Sequence, residues 1–174
     1  MINNNVIDNI LSRKSIRKYT DKIIPQSKIK IILDAAMAAP TANNRRPYHF
    51  IVVSDPIIKH ELTKINPYSK MIEESSHTIV VCGDIVTEPT MDFIHHDCAA
   101  ATQNILLAAH SLGLGAVWVG VRQEDVKGWG VHVSEVLKLP SNIKPIALIP
   151  IGYPDQKREA KARYEEEKVH YNNW

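Results

Sequence analysis

The chain has 174 residues, 44% hydrophobic and 23% charged, a length and composition that fit one globular domain with a useful core. Lys and Arg number 21 against 19 Asp and Glu, a net charge of +2, which argues against a dedicated nucleic-acid binder with its usual strong basic excess. No apolar run approaches the ~20 residues of a membrane span. The N-terminus MINNNVIDNILSRKS lacks the apolar core of a signal peptide, and Cys82 and Cys98 form no CxxC pair, so a cytoplasmic protein that does not enter membranes is expected.

In chain order, Val6, Ile7, Ile10 and Leu11 recur at helical spacing and predict a helix over 3–12. A basic, polar connector follows from Ser12 to Thr20. Pro25 starts a second helix at Gln26, and Pro40 ends it. Residues 41–47, TANNRRP, read as a polar loop. HFIVVS (49–54) is a β-branched strand stopped by Asp55-Pro56. A helix is expected over 57–65, the stretch 69–75 carries no clear signal, and HTIVVCGD (77–84) reads as a fully buried strand. The longest helix spans 91–112, with alanines that allow close approach of another helix, and Leu112-Gly113-Leu114-Gly115 caps it. AVWVGV (116–121) is a third strand, 123–137 a helix weakened by Gly128 and Gly130, and KPIALIPIGYP (144–154) a fourth strand. The charged tail 155–174, ending HYNNW, has no room for a core and reads as a segment that docks on this subunit or on a partner. Helices and strands mix without regular βαβ alternation, which favours α+β.

Several clusters could carry chemistry. Arg13-Lys14-Ser15-Ile16-Arg17-Lys18 puts four cations and a hydroxyl within six residues. Guanidinium forks and a hydroxyl suit a terminal phosphate, and Arg13 and Arg17 would share a face if the helix continued; a solvated basic connector fits equally well. The amides of the 40–47 loop could read the donors and acceptors of a planar heterocycle, or serve as ordinary turn residues. Gly113-Leu114-Gly115 follows a helix and precedes a strand, the reverse of a dinucleotide fingerprint, so helix capping is the better reading. His95-His96-Asp97-Cys98 has metal-binding residue types, but neighbours on a helix diverge, and a helix surface or subunit contact is preferred. Neither cysteine is marked as a nucleophile. Lys161 and Arg163 could complete a phosphate site begun at Arg13, or belong to a solvated tail beside Glu165, Glu166 and Glu167.

Taken together, RKSIRKY (13–19), AAPTANNRRPYHFIVV (38–53), VVCGD (80–84), DCAAATQNILLAAHSLGLGAVWVGV (97–121), IPIGYP (149–154) and the KAR run with its aromatic tail form an ordered series. That series resembles the nitroreductase family of FMN-dependent oxidoreductases across nearly the whole chain. The resemblance implies a single domain over 1–174 with a three-layer α+β fold, a mostly antiparallel central sheet flanked by helices. It also implies an intertwined homodimer with the long helix at the interface and the tail 155–174 embracing the partner. Two FMN sites would each use both subunits. Arg13, Lys14, Ser15 and Arg17 would hold the phosphate and ribityl end, joined by Lys161 and Arg163. The loop Pro40, Thr41, Ala42, Asn43 and Asn44 would be laid against the flavin by the partner. Trp118, Val119 and Gly120 would cover the isoalloxazine, and Lys70 and Met71 would approach its pyrimidine ring. Arg46 and Tyr48 stand where the family frequently has Gln and Trp, which bears on acceptor choice. The implied activity is ping-pong transfer of electrons from NADH or NADPH to a small acceptor such as a nitroaromatic or quinone, with no catalytic acid or base named and no metal. The alternatives are another flavin chemistry on the same fold, a flavin-binding redox sensor without turnover, or a basic-loop protein that binds polyanions.

Overall fold

The computed structural model describes residues 5–122 and 128–174. Its centre is a sheet of five strands: β1 (Tyr48–Val53), β2 (His77–Asp84), β3 (Gly115–Ala116), β4 (Val119–Gly120) and β5 (Ile143–Gly152). The order is β1-β2-β5-β3, with β4 also on β5, and every pairing is antiparallel. Side chains alternate across the pleat, so β2 and β5 serve two cores. Ile79, Val81, Ala147, Ile149 and Ile151 face one cluster; Val80, Cys82 and Leu148 face the other. Each fully buried aliphatic side chain contributes about 1.5–3 kcal/mol of transfer free energy to holding these layers together.

The first cluster is closed by α2 (Gln26–Met37) and α5 (Met91–Ser111) through Ile29, Ile32, Ala36, Ile94, Cys98, Ala101 and Ile105. The second is closed by α3 (Pro56–Leu62), α4 (Met71–Glu74) and α6 (Trp129–Leu137) through Leu62, Ile72 and Val133. The result is three layers, helices on both faces of an antiparallel sheet, as the α+β reading anticipates. Asp55 does more than stop β1: its carboxylate accepts from the Ile57 and Ile58 amides and caps α3, with Pro56 at the first helical position. Gly113, at φ 74°, ends α5 in a Schellman turn, its N–H on the His110 carbonyl and that of Leu114 on the Ala109 carbonyl.

The expected third strand, 116–121, is divided. β3 and β4 lie in one unbroken register on β5, Ala116 opposite Ile151 and Val119 opposite Leu148. That register puts Val117 opposite Pro150, which has no N–H to give, so the ladder lapses there. The stretch without a clear signal, 69–75, holds α4. The helix expected over 123–137 is present as α6 from Trp129; residues 123–127 lie outside the described residues, as do the first two of the helix expected over 3–12. That helix, α1 (Asn5–Ser12), buries none of its residues, and Val6, Ile7, Ile10 and Leu11 are all exposed. It is tied to α5 by Asn9 Nδ2 on the Leu107 carbonyl at 3.1 Å and by Ser12 Oγ with His110 Nε2 at 2.9 Å. Among the described residues no helix is long and apolar enough to cross a membrane.

Candidate functional site

The basic connector is not a continuation of α1. The Arg13 amide still donates to the Asn9 carbonyl, but by Ser15 the chain is extended and bridges Ala116 in parallel, with the Ile16 amide on the Ala116 carbonyl at 3.0 Å. The helical face proposed for Arg13 and Arg17 is therefore replaced by the two-residue alternation of extended backbone. Ile16 turns inward over Gly115, while Ser15 and Arg17, on either side of it, turn away. Lys14 lines one crevice with Ile16, His110 and Leu114, on the inward side.

Two glycines make this seating possible. Gly115 and Gly152 are paired across β3 and β5. A Cβ on Gly115 would sit 2.6 Å from the Ile16 side chain, and one on Gly152 would sit 2.7 Å from the Tyr19 ring. The buried Tyr19 hydroxyl donates to the Ile16 and Pro150 carbonyls at 2.7 and 3.0 Å, which pins the connector to the sheet end. Burial in that seat raises the Tyr19 pKa.

The tail completes the arrangement. Gln156 Oε1 accepts from the Arg17 amide at 2.9 Å, and Arg158 donates to the Ser15 carbonyl at 3.3 Å. Neither residue is marked by any sequence signal beyond its place just after the Gly152-Tyr153-Pro154 stop. Farther on, Lys161 and Arg163 line a groove of about 820 Å³ with Leu11 and Ser12 of α1. The half-buried Arg13 has its pKa lowered by burial and then by the like charge of Arg163. Among the described residues, Arg13, Arg17, Lys161 and Arg163 make no ion pair with any carboxylate. His110 beneath them has its pKa lowered by burial and by Lys14 and Arg13.

Ser15 bridges Ala116, two residues before Trp118, and from there the connector runs toward its second bridge, Tyr19 with Pro154. Val119 is buried, while Trp118 and Gly120 are exposed and line a crevice of about 430 Å³ with His95, His96, Arg122 and Trp129. His95 and His96 thus join a crevice beside the candidate strand, a placement that a lone histidine pair on a helix could not reveal. Met71 packs on the same apolar cluster as Val119, and Lys70, just before α4, is exposed.

The remaining candidates stand apart. Pro40 to Asn44 lie beside the N-terminal half of α5, where the Ala42 amide donates to Asp97 at 2.9 Å. The loop leads into Tyr48, opposite Gly83, at the end of the sheet away from Ala116 and Gly152. Among the described residues no hydrogen bond or ion pair joins this loop to the connector or the tail. Asn43 and Asn44 hold φ of 52° and 55° in the left-handed region, which Asn tolerates better than other residues with a side chain. Both cysteines are buried with thiols pushed up to about 12 by burial, so neither supplies a thiolate.

The model of the nitroreductase family matches residues 10–76 and 61–153 of this chain. A proposed NADH dehydrogenase/NAD(P)H nitroreductase of Parabacteroides distasonis has a crystal structure similar to this one, with TM-score 0.93, 40% identity, and 98% of this chain and 99% of that chain covered. A relative of the same proposed name in Methanothermobacter thermautotrophicus is 39% identical over 169 residues, 97% of this chain and 87% of its own. An FMN-dependent nitroreductase of Clostridium difficile aligns with TM-score 0.90 at 31% identity, covering 97% of this chain and 99% of that one. With its layered fold, its match to the family model over residues 10–76 and 61–153, and relatives at 39% and 40% identity over nearly its whole length, the chain belongs to the nitroreductase family.

Proposed function

We propose that the chain is an FMN-dependent oxidoreductase that takes electrons from NADH or NADPH and passes them to a small oxidised acceptor, a nitroaromatic or a quinone. The observation that carries the reading is the set of uncompensated cations. Arg13 feels the like charge of Arg163, and among the described residues none of Arg13, Arg17, Lys161 and Arg163 pairs with a carboxylate. Like charges held together at a half-buried position are unfavourable until an anion joins them. A terminal phosphate, near −2 at neutral pH, supplies that charge, and the Ser15 hydroxyl supplies a neutral donor. The residues present therefore fit the phosphate end of FMN.

FMN, when bound, supplies reversible two-electron chemistry that no side chain here provides. The chain's own residues bind and orient. Arg13, Ser15, Arg17, Lys161 and Arg163 hold the phosphate and ribityl end, with Lys14 adding positive charge from the inward side. Trp118 would present a planar face to the isoalloxazine, and the Gly120 amide, which the β4–β5 register turns away from β5, would offer a donor beside the buried Val119. Met71, packed on the same cluster as Val119, and the exposed Lys70 would approach the pyrimidine ring. The Pro40–Asn44 loop comes from a second copy of the chain, because it lies at the wrong end of its own sheet. The exposed apolar stripe of α1 and the outward side of α5 are the surfaces such a dimer would cover, and the tail beyond Arg163, exposed throughout, reaches onto the partner. Donor and acceptor use one cleft in turn, so the kinetics are ping-pong.

The test is an absorbance spectrum of the purified protein, then anaerobic addition of NADH and, separately, NADPH. Flavin bands that bleach with either donor and return with a quinone are the expected result, and the faster donor is the preferred one. A protein that stays colourless after incubation with FMN would overturn the reading. A bound flavin that neither donor reduces would replace the enzyme with a flavin-binding sensor.

A further inference from the structure

The loop between α2 and β1 is under backbone strain. Three non-glycine residues within four positions, Asn43, Asn44 and Arg46, hold φ of 52°, 55° and 51°. Such conformations persist only where surrounding contacts over-determine them. Four contacts lie within the loop: the Asn44 amide on the Thr41 carbonyl and the Arg45 amide on the Ala42 carbonyl, both at 3.1 Å, the Arg46 amide on Thr41 Oγ1 at 3.1 Å, and Arg46 Nε on Asn44 Oδ1 at 3.0 Å. Two reach outside it. Asp97 Oδ1, on α5, accepts from the Ala42 amide at 2.9 Å, and Glu88 Oε2, just before α5, pairs with Arg45 Nη1 at 3.0 Å.

Both outside anchors are carboxylates in places that carboxylates avoid. Asp97 is 5% exposed and Glu88 is 1% exposed. Glu88 is compensated by Arg45 and by the Thr90 amide at 2.9 Å. Asp97 is not fully compensated: its Oδ2 is buried with no hydrogen-bond partner among the described residues. Its neighbours on the inner side of α5, Ile94, Cys98 and Ala101, show that an apolar residue would pack there without that cost. What the carboxylate adds is the bond to Ala42.

We propose that Asp97 and Glu88 are positioning residues that clamp the 41–46 loop in its left-handed shape, and through that shape set how tightly a second subunit's FMN is held. The inference rests on the reading above, in which this loop faces the flavin. An unclamped loop would have to be ordered at each binding event, and that ordering cost would appear as lost affinity. Clamping before the cofactor arrives removes the cost.

The full-length protein tests this in three variants, Asp97→Ala, Asp97→Asn and Arg45→Ala. Each is titrated with FMN by flavin fluorescence, and amide hydrogen exchange is followed over 41–46 without FMN. Asp97→Ala is expected to raise the FMN dissociation constant about tenfold or more and to speed exchange at Ala42. Asp97→Asn keeps a carbonyl for the Ala42 amide and should restore both readings to within a few-fold of wild type. Arg45→Ala, the variant to read if Asp97→Ala does not fold, truncates an exposed side chain and perturbs no apolar packing; it leaves the Glu88 carboxylate held by Thr90 alone, and should weaken FMN binding about threefold or more with faster exchange across the loop. Wild-type affinity in Asp97→Ala or Arg45→Ala would overturn the positioning role while leaving the flavin reading standing. Failure of the wild-type protein itself to bind FMN would overturn the flavin reading first, and this inference with it.

Discussion

Arg13 and Arg17 are four residues apart, and four is close to one helical turn and also an even number. They share a side whether the connector is helical or extended, which is why their pairing was legible in the sequence although the helix was not there. Ser15 separates the two cases. At i+2 it would lie across a helix from both arginines, yet in extended backbone it joins them, and its bridge to Ala116 is what puts it there. Lys14, by the same alternation, lines the inward crevice with His110. The contacts of Gln156 and Arg158 were not legible, because they depend on where β5 delivers the tail. Arg17→Ala leaves the backbone bond from residue 17 to Gln156 available and touches an exposed side chain. The variant should fold with a stability within about 0.5 kcal/mol of wild type. Its FMN dissociation constant should rise about tenfold to a hundredfold, the worth of one charge-assisted bond. Fluorescence titration measures it, and unchanged affinity would remove Arg17 from the phosphate site.

Elements with long, periodic patterns were readable: α2, α5, β2 and β5 fall within a residue or two of their expected bounds. The misses have local causes. The third strand breaks because of a proline on its neighbour, which no reading of AVWVGV alone can show. The four-residue α4 is too short to display a period. Asp84 shows how a strand end is secured between elements. Its carboxylate accepts from Thr87 Oγ1 at 2.7 Å, from Asn142 Nδ2 at 2.8 Å and from the Val86 amide at 2.9 Å, which ties the turn after β2 to the start of β5. The Thr87 hydroxyl first, and then the other donors, pull its pKa down to about 2 from 3.8. Since the folded value lies below the unfolded one, the native state binds fewer protons in that interval. The stabilisation is complete above about pH 4 and drains away as pH falls through about 2. Asp84→Asn should therefore lower the urea midpoint at neutral pH, and its deficit should shrink steadily between pH 4 and 2. A deficit that stays constant with pH would show that the carboxylate charge contributes nothing.

At the scale of the whole molecule the candidate residues divide into two groups at opposite ends of one sheet. Ser15 bridges Ala116 near Gly152, while the 40–44 loop enters β1 at Tyr48, opposite Gly83. On the proposed reading both groups serve one small cofactor, which asks for two copies related by a twofold axis, each lending its loop to the other. The single chain leaves a matching apolar surface open: Val6, Ile7, Ile10 and Leu11 on α1 are 42–66% exposed, and Leu107 and Ala108 of α5 line a groove beside Val6 and Ile10. No residue of α1 is buried, so changing two of them removes nothing from the core. The wild-type protein should sediment at twice its 19.6 kDa mass. Ile7→Glu with Ile10→Glu should convert it to a folded monomer, and because each site needs a loop from the other copy, FMN retention should fall in step with the dimer fraction. Sedimentation velocity recorded at the flavin absorbance follows both at once. A wild-type monomer that keeps its flavin would defeat the shared-site arrangement, as would a monomeric variant that still carries FMN at full occupancy, and the loop would then need a role within its own subunit.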